Sequence, residues 1–163
     1  MSAVKHLSKT NALRILDSLG VPYEATEFET DGAVSGVEAA SRIGADESRV
    51  YKTLVTVGKS GAHYVFVIPV AEELDLKKAA AAAGEKNVSM LLSRLLLPLT
   101  GYVHGGCSPV GMKKQFPSFI DESAVLLESI FVSGGRIGLQ IKISPDDLAG
   151  AVEAKFTALC SER

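Results

Sequence analysis

The centre of the chain reads Val50-Tyr51-Lys52-Thr53-Leu54-Val55-Thr56-Val57, then Gly58-Lys59-Ser60-Gly61, then Ala62-His63-Tyr64-Val65-Phe66-Val67-Ile68. Both apolar runs are rich in the β-branched and aromatic residues that strands favour. The glycine-bounded tetrapeptide between them is typical of a hairpin turn. Pro69 follows the second run and cannot donate to a strand ladder. The sequence therefore predicts a pair of strands joined by a short turn.

Helical patterns flank this hairpin. Apolar residues recur at helical spacing over residues 8–19, with glycine and proline just beyond. Ser35 and the glutamate three residues later match a capping box, and that helix should end at Gly44. Asp75 precedes an alanine-rich helix over residues 76–83 that should end at the next glycine. A last helix should begin at Ser144 and run to about Leu159.

Shorter segments complete the pattern. Residues 87–97 are compatible with a strand plus a short helix or with one helix, ended by Pro98. The predicted short strands cover residues 23–28, 118–121, 129–132 and 136–143, of which the last two form a hairpin. No internal repeat or polar linker divides the chain. We therefore expect one α+β domain over residues 1–163, with a mixed sheet and interspersed helices.

Composition excludes several classes of protein. The chain has 163 residues, of which 47% are hydrophobic and 22% charged, and its net charge is −2. These values are ordinary for a globular domain and lack the strong basic excess expected of a nucleic-acid binder. Two cysteines cannot form a disulfide framework. The polar start of the chain and the absence of a long apolar run predict a soluble cytoplasmic protein.

The common catalytic motifs are absent. The sequence has no HExxH, no GxSxG, no Walker A and no dinucleotide fingerprint. His6, His63 and His104 have no partners at metal-ligand spacing, so we expect no metal and no cofactor. A surface position is the simplest interpretation of His6 and His63.

Three features remain as candidates for chemistry. The glycine-rich loop over residues 100–117 is either an ordinary surface loop or a cradle of backbone N–H groups for an anion or oxyanion. Lys52 shares a strand face with apolar neighbours, and its ammonium either reaches solvent or points into a cleft. Cys107 would need an activated thiolate to act as a nucleophile, and only His104 lies near it in the sequence.

Six segments carry a family resemblance, in the same order along the chain. They are residues 50–54, 74–80, 100–102, 105–114, 132–135 and 147–156. They resemble the YbaK-type Cys-tRNA(Pro) deacylases, whose relatives include the editing domain of bacterial prolyl-tRNA synthetases. The resemblance implies a compact α/β editing domain with a mixed, largely antiparallel and partly barrel-like sheet surrounded by helices.

The same resemblance implies a function. Family members act in trans to remove cysteine from tRNA(Pro), some also deacylate Cys-tRNA(Cys), and they associate with prolyl-tRNA synthetase. The proposed family mechanism uses the thiol of the substrate, which attacks its own ester and releases a thiolactone. Aminoacylated tRNA and the synthetase are thus the expected partners, and no membrane is involved.

The resemblance also assigns site residues. Lys52 would contact the aminoacylated 3′ end, Gly105 would open a GxxxP loop with an oxyanion-binding backbone, and Ser133 would be the pocket serine. Phe28 stands where an aromatic residue, often tyrosine, occurs in the family. The expected substrate-binding residues are Phe28, Thr53, Gly106, Cys107, Ser108 and Pro109. The family motif assigns no chemistry to the position of Cys107, so the resemblance implies a pocket-lining residue and not a nucleophile.

Two other functions stay open at this point. The chain could deacylate another small aminoacyl-tRNA, such as Ala-tRNA(Pro), with water as the nucleophile. It could also be a non-catalytic module that binds the acceptor end of tRNA, because a fold can persist without its chemistry.

Overall fold

The computed structural model describes residues 8–162, which form five α-helices, eight strands and three short 3-10 turns. The helices are α1 (Asn11–Leu19), α2 (Gly36–Ile43), α3 (Leu76–Ala83), α4 (Leu96–Thr100) and α5 (Pro145–Val152). The strands are β1 (Glu24–Glu27), β2 (Tyr51–Gly58), β3 (His63–Pro69), β4 (Val88–Met90), β5 (Ser118–Asp121), β6 (Ile130–Ser133), β7 (Leu139–Ile143) and β8 (Lys155–Thr157). The 3-10 turns span Glu47–Arg49, Ser93–Leu95 and Glu122–Leu126. His6 lies outside the described residues.

Side-chain caps set the helix starts that the sequence indicated. Ser35 accepts a hydrogen bond from the Glu38 N–H at the start of α2, and Asp75 accepts from two N–H groups at the start of α3. Both helices end at the glycines expected from the sequence. Thr10, rather than a residue near position 8, caps α1. Each cap satisfies N–H groups that have no partner inside the helix.

Two local expectations were wrong. Pro98 does not end a helix but lies in the first turn of α4, where a missing N–H costs no helical hydrogen bond. The last helix stops at Val152, because Glu153 adopts a left-handed conformation with φ of 55°. Residues 155–157 instead form β8, which pairs in parallel with β5. Adding β8 to the sheet gives the outer edge of β5 a strand partner.

The strands form two sheets. One is antiparallel in the order β1-β7-β6, and the other is mixed in the order β4-β2-β3-β5-β8. The hairpin predicted at the centre of the chain pairs β2 with β3 from Tyr51–Pro69 to Val57–His63. The hairpin predicted from residues 129–143 pairs β6 with β7. The α/β fold class is thus confirmed.

Strand β2 joins the two sheets. Its whole length pairs with β3 on one edge, so β4 and β6 must both meet its other edge. β4 pairs with β2 only from Thr56 to Gly58. Among the described residues, the one bridge toward β6 joins Phe131 to Val50, the residue just before β2. Within the described chain, residues 51–54 have no strand partner on that edge. The two sheets therefore separate beside the middle of β2.

Apolar side chains fill the space between the sheets and the helices. The largest cluster includes Leu13 and Leu16 from α1, together with buried residues of β3, β6, β7 and α5. A second cluster joins α3 to the five-stranded sheet, where the rings of Phe66 and Phe119 stack with centroids 5.4 Å apart. No helix within residues 8–162 is both long and apolar enough to cross a bilayer.

Asp121 ties the end of β5 to the C-terminal segment. Asp121 is 6% exposed, and its carboxylate accepts hydrogen bonds from the Leu159 N–H at 3.0 Å and the Ser123 N–H at 3.1 Å. Burial by itself raises the pKa of Asp121, but the hydrogen bonds outweigh burial and hold the pKa below its ordinary value of 3.8. The ionised carboxylate is thus the form that the fold stabilises.

We expect Asp121→Ala to lower the free energy of unfolding at pH 7 by about 1–3 kcal/mol, because it leaves a buried N–H without an acceptor. A depressed pKa gives stability that is present above pH 3.8 and lost as pH falls through the folded-state value. The difference from the wild type should therefore shrink below about pH 4. Urea unfolding at pH 7 and pH 3 measures both effects.

Asp31→Ala is the matched control, because Asp31 is exposed. Its free energy of unfolding should stay within about 0.5 kcal/mol of the wild type. Equal effects of the two substitutions would contradict the role given to Asp121.

Candidate functional site

A cavity of about 360 Å³ occupies the gap beside the middle of β2. All of residues 50–55 line it, although side chains alternate between the faces of a strand. Both faces reach the cavity because it lies against the open edge of β2. The segment after β4, the start of α2, the glycine-rich loop and the β6–β7 hairpin form the other walls.

Six of the nine site residues predicted from the sequence come together in this cavity. They are Phe28, Lys52, Thr53, Gly105, Cys107 and Ser133. The other three, Gly106, Ser108 and Pro109, are buried and are absent from the lining among the described residues. Ser108 has a structural contact, because its Oγ accepts a hydrogen bond from the Val110 N–H at 3.2 Å. It shapes the loop rather than the cavity surface.

Lys52 is the single Lys, Arg, Asp or Glu residue among the described residues that line the cavity. Its side chain is half-buried on β2, and no hydrogen bond or ion pair from residues 8–162 engages its ammonium. Because no carboxylate shares the wall, the ammonium stays available to a ligand oxygen. Lys52 is thus part of the cavity wall and is half-buried there.

The middle of the glycine-rich loop is packed, whereas residues 103–105 and 113–115 are exposed. Residues 106–110 are all buried, and the Tyr102 hydroxyl donates to the Val110 carbonyl at 2.6 Å across the loop. Asn11 of α1 donates to the Gly111 carbonyl at 2.6 Å from outside it. These bonds hold the loop in one shape, so its backbone forms a fixed wall.

Gly105 presents its backbone to the cavity. Its φ is +85°, and a Cβ there would lie 2.8 Å from the Ala33 Cβ, so glycine meets both constraints. No acceptor within residues 8–162 takes the Gly105 N–H. The Gly106 N–H donates to the Val103 carbonyl at 3.0 Å. Of these two N–H groups in the loop, only that of Gly105 is without an acceptor among the described residues.

Polar side chains from three strands form another part of the wall. The Ser133 Oγ accepts a hydrogen bond from the Gly135 N–H at 3.2 Å, and Ser133 stands directly opposite Gln140 in the β6–β7 pair. The Thr53 Oγ1 and the Gln140 Oε1 are buried and have no hydrogen-bond partner among the described residues. Sequence reasoning missed Gln140. The signal was an amide between the apolar residues Leu139 and Ile141.

Cys107 lacks the environment of a nucleophile. It is 8% exposed, and burial raises the pKa of its thiol to about 12. His104 lies at the exposed rim of the cavity, and no hydrogen bond joins it to Cys107 among residues 8–162. The thiol therefore remains protonated at neutral pH, which supports a lining role.

The described residues contain no group of three His, Cys, Asp or Glu side chains placed to hold a metal ion. His63, for which a surface position was expected, is half-buried and packs against the ring of Phe116 with centroids 5.4 Å apart.

Comparison with known proteins identifies the family. The model described as an aminoacyl-tRNA editing domain matches residues 30–151. The candidate Cys-tRNA(Pro)/Cys-tRNA(Cys) deacylase EbsC of Enterococcus faecalis is 41% identical over 163 residues, which is 99% of each chain. The uncharacterized protein YwhH of Bacillus subtilis is 29% identical over 126 residues, covering 77% of this chain and 79% of its own.

A solved structure agrees with these relatives. The crystal structure of a candidate trans-editing enzyme for prolyl-tRNA synthetase matches with a TM-score of 0.83 and 26% identity, over 96% of this chain and 100% of the other. The chain therefore belongs to the aminoacyl-tRNA editing family. The family resemblance and the deacylase class predicted from the sequence are confirmed.

A thiol with a pKa near 12 is about 0.01% ionised at pH 8, so Cys107 should react slowly with a disulfide reagent in the folded protein. In the Cys160→Ser variant, where Cys107 is the only thiol, we expect the native reaction to be at least about 100-fold slower than in urea. Absorbance of the released thiolate measures both rates. A fast native reaction would contradict the buried, protonated thiol.

Proposed function

We propose that this chain, as a single domain over residues 1–163, deacylates Cys-tRNA(Pro) in trans. The observation that carries the proposal is a small cavity whose described residues include a lysine without an ion-pair partner and a backbone N–H without an acceptor, but no activated nucleophile. Such a wall binds and polarises an ester without attacking it. The attacking group must then come from the substrate or from water, and cysteine brings its own thiol.

The proposed reaction is intramolecular. The substrate thiol attacks the ester carbonyl, a C–S bond forms, and the bond from the carbonyl carbon to the ribose 3′ oxygen breaks. The thiol proton leaves with that oxygen, which gives a thiolactone and tRNA with a free 3′ hydroxyl. Holding the thiol beside the carbonyl lowers the entropic part of the barrier, so orientation replaces a catalytic triad.

Each wall residue has a proposed task. The Gly105 N–H would donate to the oxyanion that develops on the carbonyl oxygen, and the Lys52 ammonium would fix the 3′ end of the tRNA. Phe28 and Cys107 would limit the size of the aminoacyl group, and Ser133 would shape the pocket. Gly106, Ser108 and Pro109 would act through the conformation of the loop instead of by direct contact.

The need for such an enzyme is physical. Cysteine and proline are similar in size, and a synthetic site discriminates weakly between near-isosteric apolar groups. A second site that tests the product corrects this error. EbsC carries both Cys-tRNA(Pro) and Cys-tRNA(Cys) in its name, which supports the same substrate class for this chain.

Prolyl-tRNA synthetase is the proposed partner. The matched solved structure is described as a candidate trans-editing enzyme for that synthetase. The net charge of −2 supports the same view, because nonspecific affinity for tRNA grows with the number of phosphates that a protein neutralises. A domain with weak affinity for tRNA would obtain its tRNA specificity from a partner that already binds the tRNA.

A panel of charged tRNAs tests this proposal. We expect deacylation of Cys-tRNA(Pro) and Cys-tRNA(Cys), little of Ala-tRNA(Pro), and a shift toward tRNA(Pro) when prolyl-tRNA synthetase is added. S-methylcysteinyl-tRNA(Pro) should be stable, because its sulfur carries no proton to lose and cannot form a neutral thiolactone.

The panel also separates the alternatives. Equal rates for the S-methylated and free-thiol substrates would exclude attack by the substrate and indicate water as the nucleophile. Faster turnover of Ala-tRNA(Pro) would indicate a different aminoacyl specificity. Binding of charged tRNA without turnover of any ester would indicate a non-catalytic module.

Lys52→Ala should reduce single-turnover deacylation of Cys-tRNA(Pro) on the order of 100-fold, because it removes the only ammonium of the described cavity wall. The matched control is Lys59→Ala in the β2–β3 turn, since Lys59 is exposed and lies outside the cavity lining. Circular dichroism verifies that both variants are folded. A folded Lys52→Ala variant with the wild-type rate would remove Lys52 from the site.

A further inference from the structure

The mouth of the cavity is built mainly by one stretch of chain. Among the described residues that line the cavity, five are exposed, and they mark where it opens to solvent. Four of them belong to residues 86–120, namely Met90, Ser93, His104 and Gly105, and the fifth is Ser35 at the start of α2. A substrate too large for the cavity must therefore leave it over residues 86–120 or over the segment around Ser35.

The two routes differ in charge. Residues 86–120 contain three lysines, one arginine and no Asp or Glu, although the net charge of the whole chain is −2. Residues 28–38, the segment around Ser35, contain three Asp or Glu and no Lys or Arg. One of these three carboxylates pairs with Arg42, and the other two have no ion-pair partner among the described residues. A polyanion is therefore attracted to the first side of the mouth and repelled from the second.

Arg94 and Lys113 lie at the two ends of the short helix α4. Arg94 belongs to the 3-10 turn that leads into α4 and follows the lining residue Ser93. Lys113 is held at the other end, where its N–H donates to the Thr100 carbonyl at 3.0 Å and its ammonium to the Pro98 carbonyl at 3.3 Å. Both cationic residues are exposed, and neither forms an ion pair within residues 8–162. Since α4 has only five residues, it separates them by about 7.5 Å of helix.

Exposed leucines accompany these cations. Leu92, Leu95 and Leu97 are 56%, 41% and 52% exposed. An RNA duplex stacks its bases inside and presents mainly phosphates and riboses, whereas unpaired nucleotides also offer the apolar faces of their bases. A surface that combines cations with exposed apolar side chains therefore fits single-stranded RNA better than a duplex.

We propose that the unpaired 3′ end of a charged tRNA leaves the cavity over Arg94, Lys113 and the three exposed leucines, which we call the exit surface. The identity of the RNA rests on the proposed function, and the exit surface adds the direction in which the tRNA lies. Phosphates of the last nucleotides pair with the two cations, and base faces cover the leucines. Because only two cations take part, the exit surface adds modest affinity.

Neutralising both cations tests the exit surface. In the double variant Arg94→Gln with Lys113→Gln, kcat/KM for Cys-tRNA(Pro) at about 50 mM salt should fall on the order of 10-fold, because two phosphate contacts are lost. The slope of log kcat/KM against log salt concentration should become shallower by about 0.7 for each contact. The single-turnover rate at saturating enzyme should stay within about 2-fold of the wild type, because neither residue lines the cavity.

The matched control is Lys59→Gln with Lys77→Gln. It removes the same charge from two exposed lysines that lie outside residues 86–120 and outside the cavity lining. Its kcat/KM should stay within about 2-fold of the wild type, because salt screens distant charges. Circular dichroism verifies that both double variants are folded. Equal losses in the two variants, or a folded Arg94 and Lys113 variant with the wild-type kcat/KM and salt slope, would overturn the exit surface.

A binding measurement separates the exit surface from the proposed function. The probes are a fluorescein-labelled RNA hairpin with a short unpaired 3′ end and the same hairpin with a blunt end, compared by fluorescence anisotropy. The wild type should bind the first probe on the order of 10-fold more tightly, and the Arg94 and Lys113 variant should bind both alike. Equal affinity of the wild type for the two probes, or no binding of either, would overturn the exit surface.

Two further outcomes distinguish the proposals. Selective binding of the unpaired end that depends on both cations, in a protein that deacylates no aminoacyl-tRNA, would support the exit surface and reject the proposed function. Unchanged RNA binding in the variant, with loss of the shift toward tRNA(Pro) that prolyl-tRNA synthetase causes, would assign these residues to the synthetase contact and overturn the exit surface.

Discussion

The open edge of β2 is the constraint on which the site depends. β3 covers one edge of this strand along its whole length, while β4 and β6 meet only the two ends of the other edge. Strands that diverge from a common neighbour leave a space that no backbone fills. Because residues 51–54 bound this space, the strand that joins the two sheets also supplies Lys52 and Thr53 to the cavity. β2 therefore both connects the two sheets and forms part of the cavity wall.

Close backbone contacts then fix the remaining walls. A Cβ on Gly106 would lie 2.7 Å from the Ile137 nitrogen, and a Cβ on Gly138 would lie 2.7 Å from the Phe28 carbonyl oxygen. The main chain of the β6–β7 hairpin is thus in direct contact with two other segments, the loop after α4 and the end of β1. Contacts of this kind leave little freedom for adjustment. The Gly105 N–H is consequently held in place before any ligand arrives, which is the condition for electrostatic preorganisation.

The sequence predicted those elements that depend on contacts between residues close together in the chain. The caps at Ser35 and Asp75 and the central hairpin followed from residue types and spacing, and the structure contains all three. The strand at residues 155–157 did not, because it exists only through pairing with β5, more than thirty residues earlier. The prediction that Pro98 ends a helix was wrong for a related reason. Its effect depends on its position in a helix, and α4 begins just before it.

The residues of the site also include some that the sequence predicted and one that it did not. A family pattern identified Lys52, Gly105 and Ser133 as candidates, and the fold brings them to one cavity. Gln140 belongs to no family motif, and an amide between two apolar residues of a strand indicates a cavity position only once the fold shows where it lies. The result is a wall with donors and neutral acceptors and no carboxylate among its described residues. Because no carboxylate in that wall pairs with Lys52, the cavity favours a ligand that brings oxygen acceptors or negative charge.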